Sequence, residues 1–296
     1  MANMRDIRRR IKSVKNTAQI TRAMQMVAAS KMKKAQDQAL AGRSYADMLN
    51  RVLANLKGEA EDVSHPLMTQ REEGRTLILL VTTDKGLCGG LNTNLIRKVI
   101  KEAPEDAMFV TVGSKGRRSM AKLSKELIAD FEVNDPVPFV ETKHVSGFVT
   151  KQFLEGKVNK VQVAFTNFVN TLTQTPWIST VLPLSAETLA EKKPYEGVGK
   201  GEIAATDTEG VSDYLFEPSK GDVFESLLPL YVNFQIYQMI VEARASEHSA
   251  RMVAMKAATD NAKNMIDDLT LEYNKLRQAV ITAELLEITS AAMALE

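Results

Sequence analysis

The chain has 296 residues, 44% hydrophobic and 25% charged, a balance that suits a soluble protein with one domain and an extension. Thirty-eight basic residues meet 37 acidic ones, so the molecule as a whole is no polyelectrolyte, and the single cysteine, Cys88, excludes an intrachain disulfide and fits a reducing compartment. No apolar run approaches the roughly 18–20 residues of a membrane span. The amino terminus is positively charged, but no apolar stretch follows it, which argues against a secretory signal. An arginine-rich amphipathic start also suits a transit peptide. Here, however, the basic pattern merges into helix-seam residues without a break for processing, so the expectation is a cytosol-side protein.

The first predicted element is a helix over about residues 3–57, with Gly58 as its stop. Ile7, Ile11, Val14, Ala18, Thr21, Gln25, Ala28, Met32, Ala35 and Ala39 recur at alternating spacings of four and three, an a/d seam with several small members. Small seam residues let a second helix approach closely. Gly42 interrupts the helix at a cost of about 1 kcal/mol, which packing can absorb. Outside the seam the helix is basic: Arg5, Arg8, Arg9, Arg10, Lys12, Lys15, Arg22, Lys31, Lys33 and Lys34 face only Asp6 before Ala35. A solvated face normally mixes signs, so an acidic partner is expected. Nucleic acid or a membrane surface would supply that charge, but the run has no aromatic residue on which bases would stack.

Residues 59–217 have a different texture. Residues 75–83 form a near-continuous apolar run, as in a buried central strand, followed by a glycine-rich turn at 84–90 and a helix at 91–103. A second strand (107–113), a second helix (114–127), a third helix (145–155), a third strand (157–169) and a fourth, antiparallel strand (177–184) complete a small α/β domain with a mostly parallel sheet. Residues 191–210 read as a loop.

The turn Asp84-Lys85-Gly86-Leu87-Cys88-Gly89-Gly90 lies between strand and helix, where nucleotide-binding proteins hold phosphate. It lacks the closing Gly-Lys-Ser/Thr of a phosphate loop and the spacing of a dinucleotide fingerprint, so a tight structural turn is the favoured interpretation. The same holds for Gly113-Ser114-Lys115-Gly116, and Cys88 is best explained as a small buried residue. His65, His144 and His248 have no metal-ligand spacing, and no Ser/His/Asp set or carboxylate pair stands out. No catalytic, cofactor-binding or metal-binding residue is therefore assigned.

The longest element spans about residues 222–293, opening on an apparent capping box at Asp222 and Glu225, with Pro229 near its first turns. Met252, Met255, Thr259, Ala262, Ile266, Leu269, Tyr273, Leu276, Val280 and Ala283 form a second seam. About 70 residues at 1.5 Å each make a rod on the order of 100 Å long. If both rods leave one compact domain on the same side, they run antiparallel. The longer one then lacks a mate from about Lys275 onward, where Val280, Ile281, Leu285, Leu286, Ile288, Met293 and Leu295 make several faces apolar. Such a helix does not stay bare in water. In this coil, Glu247 and Arg251 have the spacing of a local i,i+4 pair.

Three blocks resemble the gamma subunit of the rotary proton-translocating ATP synthase: residues 20–32 (ITRAMQMVAASKM), residues 83–92 (TDKGLCGGLN), and residues 250–261 (ARMVAMKAATDN) followed by 273–275 (YNK) and 277–279 (RQA). The resemblance runs along the whole chain in order. It continues in Ile281, Thr282, Glu284 and Glu287 and departs at Ala291, where the family has glycine.

The resemblance implies an antiparallel pair of N- and C-terminal helices (1–57 and 218–296) with an inserted Rossmann-like α/β foot domain (58–217). It implies a non-catalytic rotor shaft that couples proton flow to ATP synthesis and hydrolysis. The partners would be three α and three β subunits, an epsilon subunit and a membrane ring of c subunits, with no nucleic acid among them. Met24, Arg251, Arg277, Gln278, Thr282 and Glu284 match family positions that face the β subunits. Tyr214, Phe216 and Glu217 match the foot segment near the c ring, and Leu285, Leu286 and Ile288 belong to an apolar tip turning in a sleeve. The implied location is peripheral, on the cytoplasmic face of a bacterial inner membrane.

Overall fold

The computed structural model describes residues 4–55, 65–71, 73–184, 217 and 219–295. The expected stop at Gly58, the loop at 191–210, and Tyr214 and Phe216 fall outside them. In chain order the elements are α1 (Met4–Asn55), β1 (Arg75–Val81), α2 (Leu91–Glu102), β2 (Met108–Val112), α3 (Ser114–Lys122), β3 (Leu127–Phe131), α4 (Phe139–Leu154), β4 (Val158–Phe168), β5 (Gln174–Leu182) and α5 (Lys220–Leu295). Contacts divide the chain into two compact units, one of Met1–Ala28 with Met252–Glu296 and one of Ala29–Arg251.

The smaller unit is a helix pair. On α1, Ile7, Thr21 and Ala28 are buried, with Ile11, Val14, Ala18 and Gln25 half-buried; on α5, Met255, Thr259, Ala262 and Leu269 are buried, with Met252, Ile266, Tyr273 and Leu276 half-buried. These are the two predicted seams. The Thr21 and Thr259 hydroxyls meet at 2.7 Å, while Thr21 also reaches the Ala18 carbonyl at 3.1 Å and Thr259 the Met255 carbonyl at 2.8 Å. Two hydroxyl protons thus serve three contacts, and a polar pair at one seam level fixes register more firmly than apolar residues would. Carried along an antiparallel pair, that register brings Ile7 level with Tyr273 and Met4 with Leu276. Beyond Leu276 every described side chain of α5 is exposed, so Val280 and Ala283 keep the seam's spacing without its burial.

In the larger unit the strands form one sheet in the order β3-β2-β1-β4-β5, parallel except for β5. Side chains alternate across a strand, and β1 shows the consequence. Leu77, Leu79 and Val81 join a core with Val145, Val149 and Phe153 of α4 and with Phe224, Leu228, Val232, Ile236 and Ile240 of α5. Ile78 and Leu80 face the other way, against Leu95 and Val99 of α2 and Met120 of α3. A strand buried on both faces needs the unbroken apolar run that β1 has. The first third of α5 is therefore a layer of the α/β core. Within this unit α1 runs antiparallel to α5: Gln238 donates to the Ala39 carbonyl at 3.3 Å, and the rings of Tyr45 and Phe234 lie 4.9 Å apart. Gly42 lies at this approach, where a Cβ would come 2.7 Å from Gln238 Oε1 and displace the end of that side chain.

Three local expectations are corrected. The helix predicted over 114–127 ends at Lys122; Ser124 turns the chain at φ 51°, and Leu127–Phe131 pairs in parallel with β2 as an edge strand. The helix predicted from 145 starts at Phe139, behind Pro138, whose fixed φ and missing N–H suit a helix entrance. The cap of α5 is one turn earlier than Asp222: Ser219 Oγ accepts from the Asp222 amide at 3.1 Å and donates to its carboxylate at 2.7 Å. Pro229 is exposed inside α5, which continues past it.

Candidate functional site

In a doubly wound sheet, ligands bind beyond the carboxyl ends of the strands where the strand order reverses, here between β1 and β4. That position is filled. The Thr82 hydroxyl accepts from the Gly116 amide at 2.8 Å and points at the carbonyls of Val112 and Gly113. Thr83 and Asn92 exchange hydrogen bonds at 3.2 and 2.8 Å, with Cys88 buried beside them. Asp84 accepts from the Ser114 amide at 3.1 Å. The cavity left between β1 and β4, lined by Thr82, Thr83, Asn92, Thr166, Arg244 and Glu247 among others, measures about 10 Å³. That holds about one water molecule and no nucleotide. Residues 84–90 are the tight turn the sequence suggested, closed by a side chain from the long helix.

That side chain is Arg244, which starts a network of buried and half-buried charge. Its guanidinium donates to Glu247 at 2.8 Å, to Asp84 at 3.1 Å and to the Val133 carbonyl at 2.8 Å. Burial works against its charge, but Glu247 and Asp84 outweigh burial and hold the group protonated. Glu247 also accepts from Arg251 at 2.8 Å, the expected i,i+4 pair, and Arg251 donates to the carbonyls of Lys85 and Gly86 at 3.3 Å. Next to it, His248 Nδ1 faces Arg251 at 3.4 Å and Nε2 lies 3.1 Å from Asp135, while Lys31 of α1 reaches the same Asp135 oxygen at 2.7 Å.

His248 first and Lys31 second hold the Asp135 carboxyl well below the usual carboxylate range, against the opposing effect of its burial. A group with a depressed folded-state pKa stabilises the fold above its unfolded value, near 3.9, and this contribution is lost as pH falls through the lower folded value. Asp135→Asn should therefore be less stable than the parent at neutral pH. The gap in urea midpoint should close below about pH 4; a constant gap down to acid pH would show that Asp135's charge contributes nothing.

The sequence-derived contact residues are not gathered at one place. Arg251 lies in the larger unit, its side chain 15% exposed and engaged as described. Met24, Arg277, Gln278, Thr282 and Glu284 are exposed in the helix-pair unit, as is Glu217 in the other. Leu285, Leu286 and Ile288 are 57%, 61% and 66% exposed. Of the basic run, Lys31 is paired with Asp135 and Lys33 with Asp37 at 3.1 Å, while Arg8, Arg9, Arg10, Lys12, Lys15 and Arg22 are exposed. Among the described residues no His, Cys, Asp or Glu cluster could hold a metal ion, and no helix is long and apolar enough to cross a membrane.

An antiparallel helix pair with a bare apolar end, in one chain with a Rossmann-like body whose ligand crevice is plugged from within, defines a structural subunit of a larger assembly. The family model described as ATP synthase matches residues 3–295. The ATP synthase gamma chain of Opitutus terrae is 50% identical over 295 residues, 99% of both chains, and that of Akkermansia muciniphila is 50% identical over 297 residues, the whole of both. The chain belongs to the ATP synthase gamma-chain family. Its fold is shared by a chain of the Euglena gracilis mitochondrial ATP synthase OSCP/F1/c-ring structure (TM-score 0.66, 20% identity, 99% of this chain and 94% of that one). It is also shared by a chain of the Tetrahymena thermophila central stalk and c-ring structure (TM-score 0.58, 24% identity, 81% and 99%).

Proposed function

We infer that this chain is the non-catalytic central-stalk subunit of an ATP synthase, a shaft coupling proton flow through a membrane c ring to ATP synthesis and hydrolysis at the β subunits. Family membership along the whole chain supports this role, and it gives no support to a basic adaptor for nucleic acid or membrane surfaces. The observation that carries it is the stretch of α5 beyond Leu276, where Val280, Ile281, Leu285, Leu286, Ile288 and Met293 are all exposed. Apolar side chains on several faces of one unpaired helix need an enclosure that other polypeptides supply. A ring of alternating α and β subunits is that enclosure. Met24, Arg251, Arg277, Gln278, Thr282 and Glu284 are the side chains that meet the β subunits. Tyr214, Phe216 and Glu217 belong to the foot facing the c ring and the epsilon subunit.

A single chain has no threefold symmetry, so turning it inside a ring of three catalytic subunits shows each a different face and imposes three conformations in sequence. The binding energies are linked in both directions, so ATP hydrolysis turns the shaft as rotation drives synthesis. The protein is placed as a peripheral subunit on the cytoplasmic face of a bacterial inner membrane. Purification through a tag on this chain from detergent-solubilised membranes should bring down α, β, epsilon and c subunits together. A soluble monomer without them would refute the shaft role.

A further inference from the structure

Asp84 and Asp135, on the loops that follow β1 and β3, hold the long helices through two chains of charge that meet where His248 Nδ1 faces Arg251 at 3.4 Å. From Asp84 one runs through Arg244 to Glu247 and Arg251 on α5, and Arg251 closes it on the Lys85 and Gly86 carbonyls of the same turn. From Asp135 the other runs to His248 on α5 and to Lys31 on α1. All of these residues belong to the Ala29–Arg251 unit, and Lys31 and Arg251 are among its last residues on the two helices.

Stability alone does not account for such a cluster. Buried ion pairs are commonly no better than apolar side chains of the same volume, and α5 already has a long apolar face in the core, with Phe224, Leu228, Val232 and Ile236 fully buried. Apolar packing resists separation of two surfaces but is non-directional, so it opposes twist and sliding weakly. Charge-assisted hydrogen bonds from a rigid guanidinium fork have a preferred direction and oppose both. The Arg244 and Arg251 forks anchored on the Asp84 turn, with the Lys31 ion pair and the His248 approach at Asp135, reach both helices and form a restraint against rotation of the helices within the α/β body.

Building on the central-stalk role, we propose that Asp84, Arg244, Glu247, Arg251, Asp135, His248 and Lys31 form a torsional clamp that passes torque between the α/β body and the two long helices. They are positioning residues for coupling and touch no substrate.

The test uses the assembled synthase, immobilised through its α and β subunits. Leu172, 79% exposed on the β4–β5 hairpin, is replaced by cysteine to carry an optical probe, since Cys88 is buried. The mean-square angular fluctuation of the probe should rise by about a third or more in Asp84→Asn and in Asp135→Asn, since each removes part of a linked restraint that acts beside the apolar packing. Arg117→Ala, which breaks an exposed ion pair with Asp130 elsewhere on the body, should leave it unchanged. Lys31→Ala, at a half-exposed position that folding tolerates, should widen it by a smaller factor and decides the matter if the aspartate variants do not assemble. Unchanged fluctuation in the variants that assemble overturns the clamp. Failure of the unsubstituted chain to assemble overturns the shaft role itself, and the clamp with it.

Discussion

Gly113→Ala should lower the stability of the full chain by about 3 kcal/mol or more, whereas Gly89→Ala should cost only about 1 kcal/mol. Both glycines have positive φ, but +60° at Gly89 is close to the left-handed helical value that other residues can adopt, while φ +95° with ψ 139° at Gly113 lies outside it. Their surroundings widen the difference. A Cβ at Gly89 meets nothing within 4 Å, while at Gly113 it would lie 2.3 Å from the Thr82 carbonyl oxygen, a backbone atom with no rotamer to change. That carbonyl belongs to a residue fixed from three sides, its amide donating to Val112 at 2.8 Å and its hydroxyl serving Val112, Gly113 and Gly116. Relief of the clash must push the turn after β2 away from the turn after β1. Ser114 then loses its grip on Asp84, and Asp84 its approach to Arg244. The damage should therefore extend from packing into the charge network. Urea midpoints of the two variants, measured side by side, check the ranking; equal midpoints would mean that the close approach at Gly113 is not maintained in solution.

Where the sequence was informative, the responsible pattern was local. Alternating steps of three and four marked both seams, up to Val280 and Ala283 beyond the buried stretch, because a helix repeats every 3.6 residues, and the unbroken run of β1 marked a strand buried on both faces. The bare stretch after Leu276 was visible because the two rods differ in length. Strand β3 was missed because its apolar run, Leu127 to Ala129 before Asp130, is too short to mark a strand, and its residues are partly exposed at the sheet edge. The turn before it uses a serine at positive φ where a glycine would have announced it. Ser219 and Asp222 both fit a helix cap, and only the hydrogen bonds choose between them.

The charge network had no signature beyond the pair Glu247–Arg251. Lys31 and Asp135 are 104 positions apart and Asp84 and Arg244 160, so no spacing rule connects them. Arg244 carries no spacing signature in the sequence, and becomes the plug of the switch-point crevice only once the fold brings α5 across it. The residues matched to β-subunit and c-ring contacts are a different case. Their proposed partners lie on other chains, so neither periodicity nor this chain's own packing distinguishes Thr282 from its exposed neighbours.

Arg244→Met should destabilise the chain by about 3 kcal/mol, the low end of the cost of leaving one side of a buried pair uncompensated. Methionine keeps most of the arginine stem, so packing is nearly conserved. What goes is the charge, from a site where the Arg244 and Glu247 side chains are each 7% exposed. Asp84, 38% exposed, recovers water as a partner, and Glu247 retains Arg251, which is why the low end is expected. Removing both members by Arg244→Met with Glu247→Leu should cost less than the two single losses added together, with a coupling energy of about 1–2 kcal/mol. Arg251 then still donates to the Lys85 and Gly86 carbonyls and is not stranded. If Arg244 served only to fill the crevice beyond β1 and β4, the single substitution would cost under about 1 kcal/mol and the double-mutant cycle would be additive. Denaturant midpoints of the parent, the two single variants and the double variant distinguish these outcomes, and a coupling energy near zero would show that the pair is not joined in solution.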